Sequence, residues 1–123
     1  MVRICGKDYP EDIEELDISN KGLTKLPDEI QYLTNLKKLI CQSNQITSLD
    51  NLPPNLQELY CNNNKITRLD NLPLNLQKLD CSRNEITSLD NLPPNLKTLD
   101  CSINPLIYTF EPTITNIRAY HNQ

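Results

Sequence analysis

The chain has 123 residues, 12 of them basic and 16 acidic, for a net charge of −4. That length accommodates one domain, and the acidic balance argues against nucleic acid, whose binding is mostly phosphate neutralisation. The opening MVRICGKDYPEDIEEL holds no apolar run for a secretory leader, and no stretch approaches the roughly 20 apolar residues of a membrane helix, so the expected setting is soluble and intracellular, with no membrane partner. In that setting the five cysteines are expected to be reduced thiols.

In chain order, residues 1–12 read as an N-terminal cap that carries Cys5. A first repeat follows with Ile13, Leu16 and Ile18, then Leu23 and Leu26. Its return leg, Pro27 to Leu33, suits a helical turn with proline tolerated at the first helical position. Four regular units come next, spaced 20 residues apart: Leu36-Leu39-Cys41, Leu56-Leu59-Cys61, Leu76-Leu79-Cys81 and Leu96-Leu99-Cys101. Each is followed by an asparagine: Asn44, Asn64, Asn84 and Asn104. A fixed period of this length means stacked copies of one unit, none able to bury its apolar side alone. Their return legs carry Pro53-Pro54, Pro73 and Pro93-Pro94, which restrict φ and remove amide donors, so extended legs are expected in place of helices. Ile114, Ile117, Ala119 and Asn122 repeat the spacing 18 residues after Leu96, Leu99, Cys101 and Asn104, and predict a sixth, closing strand. Residues 13–123 thus form the repeat domain, with a degraded last unit as its C-terminal cap.

Within a unit, alternation such as Leu59-Tyr60-Cys61 sends leucine and cysteine inward and the middle residue outward. The units then stack as parallel strands in one ribbon.

The motif LxxLxCxxNxI, four times intact through its asparagine (the fourth copy has Leu106 at the last position) and twice weakened between Ile13 and Asn122, resembles the leucine-rich repeat. The short proline-bearing unit LDNLPPNLQEL is similar to the 20-residue class of bacterial-pathogen effectors, and its Asn- and Cys-marked form to repeats of amoebae and giant viruses. The resemblance implies an α/β repeat fold: a curved right-handed solenoid with a six-strand parallel sheet on the concave face, mostly extended convex legs and little helix. It also implies a protein-binding role, in the host cytoplasm for an effector or viral protein. The first unit departs from the motif: Lys21 stands at the asparagine position, with Asn20 one place early.

The repeating residues read as structural. The asparagines satisfy backbone groups where the chain turns out of the strand. Cysteines in register on successive strands form a line, whereas zinc needs ligands converging on one point, so buried thiols acting as small hydrophobes are expected and no metal site. The pairs Asp50-Asn51, Asp70-Asn71 and Asp90-Asn91 read as turns whose aspartates accept local amide hydrogen bonds, with no calcium. His121 has no patterned partner, and Gly6 and Gly22 make no phosphate-cradling loop. No catalytic residue and no cofactor is expected.

Function is therefore sought in the outward columns, which the repeat leaves free to vary. The first is Glu15, Lys38, Glu58, Lys78, Thr98 and Asn116, an alternation of charge across strands. The second is Asp17, Ile40, Tyr60, Asp80, Asp100 and Arg118, and the third Ser19, Gln42, Asn62, Ser82, Ser102 and Tyr120. Ile40 and Tyr60 beside Asp80 and Asp100 resemble an anchor with charged neighbours, which Ile103 extends. The candidate partner-binding residues are Ile40, Gln42, Tyr60, Asn62, Asp80, Asp100, Arg118 and Tyr120. The expected partner is a protein with a basic or amphipathic surface, met by a monomer; the alternative is a scaffold that self-associates through solenoid ends or the convex side.

Overall fold

A computed structural model describes residues 1–122 of the chain. Each repeat contributes three residues to one parallel sheet: β3 (Glu15–Asp17), β4 (Lys38–Ile40), β5 (Glu58–Tyr60), β6 (Lys78–Asp80) and β7 (Thr98–Asp100), in that spatial order. The register is the one the repeat dictates, Leu16 beside Leu39, then Leu59, Leu79 and Leu99. Before it, β1 (Val2–Ile4) and β2 (Lys7–Tyr9) pair antiparallel. Their two-residue turn is Cys5-Gly6, with φ of 50° and 79°, the doubly left-handed geometry that matches strand twist. Ile4 from this hairpin is buried in the repeat core.

The return legs follow their sequences. Asp28–Tyr32 forms one 3-10 helical turn, with Pro27 just ahead of it as its N-cap, and buries Ile30. The proline-bearing legs hold no helix among the described residues. Leu36, Leu56 and Leu76 from the strand entries, Leu39 and Leu59 from the strands, and Ile46, Ile66 and Ile86 from the exits are buried in one continuous core. Each such side chain contributes about 1.5 to 3 kcal/mol of transfer free energy.

The asparagine column ties the stack together. Asn64 Nδ2 donates to Cys41 O at 3.1 Å and Cys61 O at 3.0 Å, while its Oδ1 accepts from Ile46 N at 3.0 Å. Asn84 and Asn104 repeat this one and two units on. Every asparagine thus satisfies backbone groups of its own turn and the one before. At the departing first unit, Asn44 Oδ1 accepts from both Lys21 N (2.9 Å) and Leu23 N (3.1 Å), so the missing asparagine is compensated from the next repeat.

Two expectations are corrected. Among the described residues Asp50, Asp70 and Asp90 take no turn amides; they face the side chains of Ser48, Arg68 and Ser88. It is the following residue that makes the turn, since Asn51, Asn71 and Asn91 all have φ between 55° and 61°, a conformation asparagine tolerates better than most. The second correction concerns the C-terminus: among the described residues the sixth strand is absent, and Ile114–His121 form helix α1, leaving a sheet of five strands there. Thr113 caps the helix by accepting from Asn116 N at 3.1 Å. The spacing that suggested a strand, Ile114 to Ile117, is also the i,i+3 spacing of a helix face. Thr113, which takes the place of Asn95 after the retained proline Pro112, supplies the cap that lets the segment take the helix.

Candidate functional site

The solvent-facing side of the sheet carries the variable columns, and backbone pairing sets their neighbours. Ile40 lies beside Tyr60, Tyr60 beside Asp80, and Asp80 beside Asp100. Ile40, Tyr60 and Asp80 are half-buried and Asp100 is exposed. Tyr60 is held from both sides: its hydroxyl donates to Glu58 Oε1 at 2.8 Å, and Lys38 Nζ sits 5.6 Å from its ring centroid. Lys38 also reaches Glu15 at 3.6 Å. Lys38 and Glu58 of the first column thus orient the aromatic ring, and the bond to Glu58 pushes the Tyr60 hydroxyl pKa up.

The two carboxylates are fixed differently. Asp80 Oδ1 accepts from Ser82 N at 3.1 Å and Ser82 Oγ at 2.7 Å, and Asp100 does the same with Ser102 at 3.1 and 2.7 Å. These bonds to Ser102 hold the Asp100 carboxyl below the usual carboxylate range. Neither carboxylate meets a cation within ion-pair distance among the described residues.

Gln42 and Asn62 stand in the neighbouring column, both half-buried. Asn62 Oδ1 is buried without a hydrogen-bond donor, the single such side-chain atom among the described residues. Leaving a buried acceptor unpaired costs about 1 to 3 kcal/mol.

Arg118 and Tyr120 do not join the ribbon, because the segment that carries them is helical. Arg118 Nη2 donates to Pro93 O. Tyr120 packs edge-on against Tyr108, centroids 5.3 Å apart, and near Phe110 at 5.8 Å. Both therefore help seat α1 on the solenoid. Ile103 is 62% exposed and has φ of 55°, an unfavourable conformation for a β-branched residue.

The sequence reading found no partner for His121, yet the fold supplies several. His121 Nε2 lies 2.7 Å from the Tyr108 hydroxyl and 3.3 Å from Asp90 Oδ1. The Tyr108 hydroxyl in turn accepts from Leu89 N at 2.8 Å and meets Ser88 Oγ at 3.3 Å. These residues come from a repeat exit, the degraded connection and the helix, a convergence no linear spacing announces.

Cys41, Cys61, Cys81 and Cys101 form a buried, unbonded ladder, and Cys5 is exposed. Burial pushes the Cys41 thiol up to about 12 and raises those of Cys61, Cys81 and Cys101 as well. Cys61 Sγ donates to Asp80 O at 3.4 Å. Among the described residues no three His, Cys, Asp or Glu side chains gather as metal ligands. The thiols are held neutral, and neutrality is what folding favours. A thiol whose folded pKa lies above its ordinary 9.0 leaves stability intact below that pH and removes it as pH rises toward the folded value. Raising pH from about 8 to about 10.5 is accordingly expected to lower the urea midpoint, and Cys41→Ala to shrink that drop. In the native state a thiol reagent should label Cys5 at once and the ladder only on unfolding. Fast native labelling of all five would contradict the burial.

Residues 54–93 match the family described as Leucine Rich repeats (2 copies). No curated protein matches the chain. Among solved structures it is similar to YopM, a leucine-rich effector protein from Yersinia pestis, with 37% identity and a TM-score of 0.73 over 79% of this chain and 27% of that one. It is also similar to a Shigella effector LRR domain, with 30% identity and a TM-score of 0.59 over 84% of this chain and 54% of that one. A third is the functional domain of InlJ from Listeria monocytogenes, which includes a cysteine ladder: 37% identity and a TM-score of 0.58 over 79% of this chain and 24% of that one. The chain spans about a quarter of YopM and InlJ and about half of the Shigella domain. Repeat sequence, register, asparagine ladder and these likenesses agree: the chain is a leucine-rich-repeat protein, a parallel-sheet solenoid resembling those of bacterial effectors.

Proposed function

We propose that the chain is a non-catalytic protein-binding module that docks a basic or amphipathic partner surface on the concave ribbon. Solenoids of this kind present extended concave surfaces to partners, and leucine-rich repeats are typically interaction modules without catalysis. The observation that carries the finer reading is the column Ile40-Tyr60-Asp80-Asp100, in which an oriented aromatic anchor borders two carboxylates without cations. The unpaired Asn62 acceptor in the next column supports it, as a stability cost that sits beside that anchor. In this reading residues 1–12 cap a repeat domain of residues 13–123, and the protein acts as a monomer in a reducing, intracellular compartment. Nucleic acid and membrane are not its partners. The described residues include no helix long and apolar enough to cross a membrane.

The test compares proteins retained from the native cellular environment by the unmodified chain with those retained by Tyr60→Ala and Asp80→Lys. Each substitution is expected to cost at least about tenfold in affinity for a captured partner, as central aromatic anchors and their charged neighbours do. Both proteins should remain cooperatively folded, because neither side chain belongs to the core; Asp80→Lys lowers the thermal transition modestly through the lost bonds from Ser82. Equal retention by all three proteins sinks the concave-face assignment.

A further inference from the structure

With α1 in place of a sixth strand, β7 is left with an open edge. In each earlier strand the amides at the cysteine position and two residues later donate forward: Cys61 N to Asp80 O, Asn63 N to Ser82 O, Cys81 N to Asp100 O and Arg83 N to Ser102 O. The equivalent donors Cys101 N and Ile103 N have no partner among the described residues. The same holds for the acceptor Lys97 O, although its counterpart Gln77 O receives Lys97 N and Thr98 N. Leu99 is incompletely covered, whereas Leu39, Leu59 and Leu79 are buried. Beside this edge runs a cleft of about 700 Å³, with Leu99, Asp100 and Cys101 on one wall and Glu111, Pro112 and Arg118 on the other.

We propose that this edge takes up a short extended segment of a partner polypeptide as a sixth strand, reading apolar, basic, small. The apolar residue covers Leu99, the basic residue lies beside Asp100, and the small residue adjoins Cys101. Strand addition suits the site because the free amides and carbonyl bind backbone while the alternating neighbours select side chains. The basic preference follows from Asp80 and Asp100, adjacent carboxylates that meet no cation among the described residues. The chain itself holds an example of the pattern. Ile117, Arg118 and Ala119 stand 18 residues after Leu99, Asp100 and Cys101, but the Thr113 cap, the burial of Ile117 and the Arg118 bond to Pro93 retain them in α1. The backbone pairing does not depend on the concave-face reading, since it uses groups that face along the solenoid axis; only the basic preference shares Asp80 and Asp100 with it.

The probe is a free, blocked peptide with the sequence of residues 113–122, TITNIRAYHN, together with its Arg118→Glu version. Both are titrated into the isotope-labelled full chain while its amide resonances are followed. The parent peptide should shift the amides of Leu99, Cys101 and Ile103 and slow their hydrogen exchange. The Arg118→Glu peptide should bind about tenfold more weakly, the effect of exchanging attraction for repulsion at two neighbouring carboxylates. In the Asp100→Lys chain that order should reverse. The proposal fails if these three amides do not respond, if the two peptides bind alike, or if the shifts centre on Ile40 and Tyr60. It fails equally if light scattering shows a second copy already holding the edge, or if residues 114–121 of the free chain give strand-like resonances.

Discussion

Asn84→Ala is expected to lower the free energy of unfolding by about 3 kcal/mol, more than its small loss of apolar contact explains. Asn84 Nδ2 donates to Cys61 O at 3.1 Å, Cys81 O at 3.0 Å and Ser82 O at 3.1 Å, and its Oδ1 accepts from Ile66 N at 3.0 Å. The two cysteine carbonyls retain donors after the substitution, because Asn64 also reaches Cys61 O and Asn104 also reaches Cys81 O. The Ile66 amide has no such reserve. It is left buried and unpaired, which sets most of the cost. Asn84→Asp separates the two halves of the argument: the carboxylate still accepts from Ile66 N, but it turns negative charge toward carbonyl oxygens. That variant should be at least as destabilised at neutral pH and should recover in part on acidification, when the carboxyl regains a proton to donate. Urea unfolding of both variants decides the matter. A loss below about 1 kcal/mol for Asn84→Ala would mean that water replaces the ladder.

The solenoid was legible because its causes repeat. Leucine, cysteine and asparagine recur with one period, and each copy meets the same neighbours, so a single reading of the unit covers β4 to β7. The legible part of the candidate site follows from this, since register alone places Tyr60 between Ile40 and Asp80. The C-terminus was misread where two physical codes share a spacing: Ile114 and Ile117 fit both a repeat and a helix face, and the Thr113 cap favours the helix. Arg118 and Tyr120 left the ribbon with that one error. The capping signal was in the sequence, as a threonine after Pro112 with an apolar pair following. The asparagines at 51, 71 and 91 were visible too, but their left-handed φ, and not the preceding aspartates, is what the turn requires. What no sequence pattern offered was the junction of Asp90, Tyr108 and His121, which depends on how a degraded leg folds back over the last intact turn.

That junction and the apolar contact beneath it make different predictions for how α1 is held. Ile117 is the helix's one buried residue, 1% exposed. Ile117→Ala is expected to cost about 2 to 4 kcal/mol, the range for emptying a buried branched side chain. An eight-residue helix has little stability of its own, so once undocked it should melt and reduce the helical circular-dichroism signal. Cys101 supplies a local readout, because its Sγ donates to Pro112 O at 3.6 Å in the segment that leads into the helix. Undocking should make Cys101 reactive toward a thiol reagent while Cys41, Cys61 and Cys81, deeper in the stack, stay protected. Tyr108→Phe is the contrasting variant: it removes the acceptor for Leu89 N and the partner of His121 but empties no apolar slot. Its expected cost is about 1 to 3 kcal/mol, with Cys101 still protected. If Tyr108→Phe exposes Cys101 and Ile117→Ala does not, the polar junction and not the buried isoleucine is what keeps the helix on the end of the solenoid.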